Sequence, residues 1–431
     1  MFNSLRQTAR QRFLLAARLC ISSMMTVSLN SLNSAAAADW PQHLGPSRNG
    51  ISTEHGLLES WLAGGLPEVW RVAGGVGSSG LAIEGNRLVT MVERGGQQLV
   101  VALDAKSGRQ LWEAPIGPGY ENPQGNGPRG TPTIADGYVF AFSGDGILLV
   151  LEMSDGRIVW RHDTLRQHEG RAADYGMACS PLVVGELVIV TVGAPAATVV
   201  AYHRETGETA WTAGQGDAPG YSSPALLNVG GQTQTVVFSG AAAMGLVSDS
   251  GDELWRYPYV TDFGCNIATP LAIDGRVFLS AGENHGSVLL TLKPSGDTFD
   301  AEEVWESQGP KSVLRNEWQT SILWEDYLYG MDNVGGAGPI THLTCIEAAT
   351  GKRQWQELRY GKGNLIAADG KLFISTLRGE LVVARANPRE YDELGRMTVL
   401  GPTRQAPAIA NGLLYLRDDA EIVCLDVREA R

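Results

Sequence analysis

The sequence predicts an all-β chain: an eight-bladed β-propeller of four-stranded antiparallel blades, its ring closed by an N-terminal strand. Three observations carry this. Trp recurs at 70, 112, 160, 211, 255, 305 and 355, at spacings of 42 to 51 residues, and a period of that length marks a repeat architecture. Inside each period, short apolar runs are separated by Gly-bearing turns such as Asp136-Gly137 and Asp274-Gly275. Such steps signal hairpins, because tight turns need positive φ. The two ends of the repeat region are each incomplete and complement one another.

In chain order, residues 1–38 come first. They carry Arg6, Arg10, Arg12 and Arg18 without an acid, then an apolar stretch from Leu19 to Leu29, then Ala35 to Ala38. A basic start, a short apolar middle and a small-residue exit make a secretory signal peptide, with cleavage expected after Ala38. Residues 39–431 are expected to form one propeller domain. Pro67 to Arg71 reads as a closing outer strand with no blade before it. Repeat two is the clearest unit: Thr131-Pro132-Thr133-Ile134, then Tyr138 to Ala141, Leu148 to Leu151 and Ile158-Val159-Trp160. Repeat three opens on Ser180-Pro181 and closes on Trp211. Repeat five opens on Thr269-Pro270 and closes on Trp305. Repeat six ends in Ala349-Thr350-Gly351-Lys352 and Trp355, and repeat seven, Leu365 to about Val399, has no closing Trp. Repeat eight has room for three strands before Asp426-Val427, so Val69 and its neighbours supply the fourth. One Trp per unit in the outer strand reads as packing between neighbouring blades rather than as a ligand-stacking series.

Composition narrows the function. The net charge is −13; without the four Arg of the leader, 30 basic residues face 47 acidic ones, a net −17. A phosphate-backbone binder needs a basic footprint, so nucleic acid is excluded as a partner. No segment reaches the length of a membrane span. Beyond the leader, Cys345 and Cys424 occupy the same strand position in the non-neighbouring repeats six and eight, and Cys179 and Cys265 begin inner strands of the non-neighbouring repeats three and five. They are expected to be buried free thiols, because a disulfide needs its Cα atoms within about 7 Å. A closed ring is expected to serve as a monomer. His162 and His168 are expected in a solvated loop, and Ser222 and Ser223 are read as repeat consensus without a base nearby.

The loops that precede each innermost strand ring one mouth of the central channel. They bring Arg129, Asp174 and Tyr175, Tyr221, Asp262, Phe263 and Asn266, Arg315, Glu317 and Trp318, Tyr360 and Lys362, and Arg404 to one rim. Arg129, Arg315, Lys362 and Arg404 with Trp318 make a candidate site for a flat anionic ligand, since guanidinium forks hold carboxylates and aromatic faces stack. Asp262, Asn266 and Glu317 are candidate oxygen ligands for calcium. Asp174 is the candidate base for an enzyme.

The phrase Leu103-Asp104 through Ser107-Gly108 to Trp112, with degenerate copies across residues 66–427, resembles the PQQ-like repeat of quinoprotein dehydrogenases and of BamB-type outer-membrane assembly factors. The opening Trp40-Pro41-Gln42-His43-Leu44-Gly45-Pro46-Ser47-Arg48-Asn49-Gly50 is similar to the start of exported PQQ-like propellers. The resemblance implies an eight-bladed ring and an exported, periplasmic location. Fold alone does not fix chemistry. Quinoprotein alcohol dehydrogenases carry an adjacent Cys pair beside PQQ, an aromatic floor, a calcium site and an Asp base. This chain has no adjacent cysteines and lacks their long insertions. The expectation is therefore a non-catalytic scaffold that binds an envelope protein or peptide, with a small anionic ligand at the channel mouth. The alternative is a PQQ-dependent oxidoreductase that uses the same rim.

Overall fold

The computed structural model describes residues 38–61, 64–214, 216–335 and 340–429. The expected leader lies, apart from Ala38, outside the described residues. Eight sheets follow in sequence order. Seven are continuous in the chain: blades 1 (82–118), 2 (133–163), 3 (182–213), 4 (225–258), 5 (271–308), 6 (322–357) and 7 (363–398). Blade 8 (408–426) supplies three strands, and Glu68–Ala73 pairs antiparallel with its Glu421–Asp426. The ring is closed as the sequence predicts. Closure pairs an edge that would otherwise be open to aggregation.

Hydrophobic clusters span neighbouring blades. Val89, Ala102 and Trp112 of blade 1 pack with Val139 and Leu149 of blade 2, and Phe140 and Val150 of blade 2 pack with Val188 and Val200 of blade 3. The middle strands are buried on both faces, so they read as apolar runs rather than alternations.

The repeated motif residues form two sets of blade-to-blade bonds. At the outer edge, the indole N–H of each of six Trp residues donates to a carbonyl of the next blade. Trp112 reaches Met153 O at 3.0 Å, Trp160 reaches Arg204 O at 2.8 Å, and Trp70, Trp211, Trp305 and Trp355 do likewise. Trp255 differs, donating to Gln234 of its own blade. On five of these rings, Trp70, Trp112, Trp160, Trp211 and Trp305, the turn glycine of the next blade lies in contact. At Gly156 (φ +75°) an added Cβ would sit 2.6 Å from Trp112, so the motif needs Gly for space as well as for φ. At the inner edge, hydroxyls at the start of three blades each accept a backbone N–H from the preceding blade: Thr131 N to Ser180 Oγ, Ser180 N to Ser223 Oγ, and Thr269 N to Thr320 Oγ1, all at 2.9 Å. Ser223 is therefore structural. Trp112→Phe keeps most of the packing but leaves Met153 O unpaired. We expect a loss of about 1–2 kcal/mol in denaturant unfolding; an unchanged midpoint would remove the indole bond from the account.

Blade 7, which lacks a closing Trp, holds Gly395 in that strand. Trp61 from the N-terminal segment lies on it, so close that a Cβ at Gly395 would overlap the indole. The missing ring is supplied from elsewhere in the chain.

That N-terminal segment also crosses the channel. Trp40 pairs with Ile83 of blade 1, Pro41 O accepts from Ile134 N of blade 2, and His43 Nε2 meets Thr269 Oγ1 of blade 5 at 3.3 Å. Ile51–Ser52 then adds a parallel strand inside blade 7, and Leu57 bridges to Arg428 beyond blade 8. A segment bonded to the inner strands of opposite blades must traverse the axis.

Arg48 holds the crossing. It is 2% exposed and donates to Ser180 O (3.0 Å), Pro224 O (2.9 Å), Pro181 O, Thr133 Oγ1 (3.2 Å) and Gln42 Oε1 (2.8 Å). No carboxylate pairs with it among the described residues, and burial lowers its pKa to about 9. Buried carbonyls of blades 3 and 4 and a hydroxyl of blade 2 take the place of a counter-ion.

Candidate functional site

The plug leaves a one-ended cup of about 660 Å³ on the face of the interblade loops. His43 and Leu44 form part of its floor. Its wall includes Arg129, Tyr175, Tyr221, Phe263, Cys265, Glu283, Glu317, Trp318, Lys362 and Arg404. The volume lies within the range of small-molecule sites.

The structure brings together Arg129, Trp318, Lys362 and Arg404 from four of the loops named in the sequence reading. Lys362 Nζ lies 4.2 Å from the Trp318 ring centroid and Arg404 Cζ lies 4.4 Å from it. Trp318 thus carries two cations rather than offering a free stacking face. Lys362 is compensated by Glu317, at 2.6 Å.

Arg129 and Arg404 have no acidic partner among the described residues. Arg129 donates to Gly127 O and Gly125 O, both at 2.6 Å, and lies 4.8 Å over the Tyr120 ring. Arg404 donates to Gln124 O at 2.5 Å. One loop, between blades 1 and 2, therefore holds both guanidiniums. Burial lowers the pKa of Arg129, and the charge of Arg404 lowers it further.

Four sequence assignments need correction. Arg315 is not in the cup. It is 3% exposed and forms a forked pair with buried Asp332, at 2.6 Å from Nε to Oδ1 and 2.8 Å from Nη2 to Oδ2. The carboxylate behind the loop captured it, and a one-dimensional reading of the rim does not show that partner. Asn266 does not join Asp262 and Glu317 as a calcium ligand. It is fully buried; its Oδ1 accepts from Thr261 and its Nδ2 donates to Ser239 O and Tyr259 O. Among the described residues no group of three or more His, Cys, Asp or Glu side chains is placed to hold a metal ion. His162 lies in the outer strand of blade 2, stacked on Tyr202 with ring centroids 5.3 Å apart, and is not in a solvated loop. Asp174 is exposed and outside the cup's lining; its main-chain O accepts from Asn122.

The sequence reading missed the floor residues His43 and Leu44, and Glu283. Glu283 sits at the tip of the blade 5 hairpin, on the same face as the interblade loops. The signal was available, because hairpin tips between second and third strands share that face in every blade. Glu283 and Asn284 both adopt positive φ, +54° and +64°, as does Phe263 at +63°. Such backbone conformations concentrate at functional sites. Burial, then Glu317 and Asp262, raise the pKa of Glu283, and its Oε2 is buried without a hydrogen-bond partner among the described residues.

All four cysteines within the described residues are free and buried. Cys265 faces the cup, and burial plus Glu283, Glu317 and Asp174 push its pKa up to about 12. The thiolate is the reactive form, so Cys265 is expected to resist alkylation at neutral pH. Labelling should rise only as the pH approaches 12, as followed by mass spectrometry. Rapid labelling at neutral pH would contradict this electrostatic description.

The family model described as outer membrane protein assembly factor BamB matches residues 67–173 and 96–357. None of the curated protein sequences matches the chain. Among solved structures, the quinohemoprotein alcohol dehydrogenase of Comamonas testosteroni superposes with a TM-score of 0.66 at 14% identity, covering 91% of this chain and 81% of that one. BamB from Moraxella catarrhalis superposes with a TM-score of 0.58 at 14% identity, covering 85% of this chain and 99% of that one. A europium-containing methanol dehydrogenase gives 0.63 at 13% identity over 90% and 89%. At these identities the likeness to solved structures is one of fold.

Proposed function

The chain belongs to the repeat family described as outer membrane protein assembly factor BamB, and from that premise we propose that it is an exported, non-catalytic binding propeller of the cell envelope. Its cup takes a compact anionic ligand, and its loop face engages a protein or peptide partner. One observation carries the ligand: two guanidiniums, Arg129 and Arg404, share a cavity without an acidic partner. Arg129 is half-buried and Arg404 is exposed at the mouth, and no carboxylate among the described residues offsets either, so the cup presents uncompensated positive charge to an anion. Exposed Val260, Phe263 and Leu358 on the interblade loops support the partner face.

The test is calorimetric titration of the purified protein with citrate and with PQQ. Saturable binding of either, weakened by salt, supports the reading. Absence of heat with both at micromolar protein concentration overturns the anion site. Recovery of no envelope protein on an affinity column would remove the partner.

A second reading, a PQQ-dependent oxidoreductase, draws on the same guanidiniums, which suit the carboxylates of a flat quinone. The remaining donors do not fit that chemistry. The Trp318 ring is already covered by cations, Asn266 is spent on the main chain, and Glu317 is held by Lys362 and Asn333. Dye reduction with PQQ, calcium and simple alcohols is expected to stay at the protein-free rate.

A further inference from the structure

The cup is electrically two-sided. Going round the ring, Lys362 of the loop before blade 7, Arg404 of that before blade 8 and Arg129 of that before blade 2 form one arc. Asp262 and Glu283 of blade 5 and Glu317 of the loop before blade 6 form the opposite arc, with the charge of Asp174 reaching the same side. The two poles are not neutralised across the cavity. Lys362 pairs with Glu317 where the arcs meet, which leaves Arg129 and Arg404 on one side and Glu283 on the other.

The acidic arc also carries the free aromatic faces. Tyr175 and Tyr221 stack with ring centroids 5.7 Å apart, and both line the cup. Carboxylate plus tyrosine faces is the combination that binds an ammonium group, by charge and by cation–π attraction. Glu283 lines the cup and forms no ion pair among the described residues, and its hairpin tip is fixed by Gly282, which packs so closely on Glu317 that a Cβ would lie 3.0 Å from the Glu317 Cα. The hairpin tip is pressed into place with its carboxylate unspent.

We propose that the cup binds a short zwitterion of peptide length, its ammonium group against Glu283 and the Tyr175–Tyr221 pair and its carboxylate against Arg129 and Arg404. This rests on the anion-binding reading of the cup and adds the opposite pole to it. The cavity volume of about 660 Å³ accommodates a few residues but not a folded chain.

The experiment is calorimetry with four probes: the tripeptide Gly-Tyr-Gly with free ends, its N-acetyl form, its C-terminal amide, and citrate. The free tripeptide is expected to bind at least tenfold more tightly than either blocked form, since each block removes a charge-assisted contact. Glu283→Gln is expected to weaken the free tripeptide about tenfold while strengthening citrate two- to threefold, because a negative charge leaves the cup. Arg129→Ala weakens both probes. Unchanged melting temperatures establish that the variants fold. If the acetylated tripeptide binds as well as the free one, or citrate binds and the tripeptide does not, the zwitterion is overturned while the anion site stands. If citrate fails and the amide binds like the free peptide, the anion site itself falls. If no probe binds, both fall.

Discussion

Arg48→Ala is expected to lower the unfolding free energy by about 3 kcal/mol, one of the two largest effects foreseen here. The guanidinium is the common partner of carbonyls from Ser180 and Pro181, at the entrance to blade 3, and from Pro224, at the entrance to blade 4. Alanine leaves those oxygens facing a void, and each unsatisfied buried polar group costs about 1–3 kcal/mol before water enters. Water from the cup recovers part of this, hence a value below the sum. Arg48→Lys keeps the charge but loses the fork, and is expected to recover less than half. Chemical unfolding reads the stability. Limited proteolysis reads the plug, with new cleavage expected within residues 38–58. A wild-type midpoint together with full protease resistance would show that the crossing segment is held by something else.

The same region predicts a pH dependence. Burial, and then Arg48, lower the pKa of His43 to about 3, against 6.5 in an unfolded chain. A depressed folded pKa gives stability that is complete above pH 6.5 and is lost as the pH falls towards 3. His43→Gln is expected to flatten that part of the curve.

Arg129→Ala combined with Arg404→Ala is expected to weaken citrate binding by about a hundredfold, and each single change by about tenfold. Folding is expected to change by less than about 1 kcal/mol. Both side chains donate to main-chain oxygens of one exposed loop, and those oxygens can turn to water. Burial is the main cause of the lowered pKa of Arg129, and the like charge of Arg404 adds to it. Removing one guanidinium relieves that like-charge repulsion. Loss of binding without loss of stability is the mark of residues that serve a ligand. Equal losses of both, measured by calorimetry and denaturant unfolding, would make the pair structural and end the ligand reading.

Much of this architecture was legible beforehand because propeller interactions repeat. The outer-strand Trp and the turn Gly of the following blade recur at a fixed interval, as do the hydroxyl-Pro steps of the inner edge. Even the closing strand could be inferred from the missing fourth strand of repeat eight. The rim was legible only as a set of loops. Arg129, Lys362, Arg404, Glu317 and Trp318 reach the cup, whereas Arg315 turns to Asp332 and Asn266 turns to its own main chain. Residue type gave no warning of either, since the competing partners lie 17 positions away in one case and on the backbone in the other.

By itself the sequence determined the number of blades, their order, the closure of the ring and the face on which the loops gather, because these follow from periodic local signals. The tertiary structure alone decided that residues 38–58 cross the axis, that Trp61 fills the gap in blade 7, that the channel has a floor, and which charges remain unpaired above it. Those outcomes depend on contacts between residues up to hundreds of positions apart. No periodicity encodes such contacts; they are selected by which buried donor finds which acceptor once the blades have assembled.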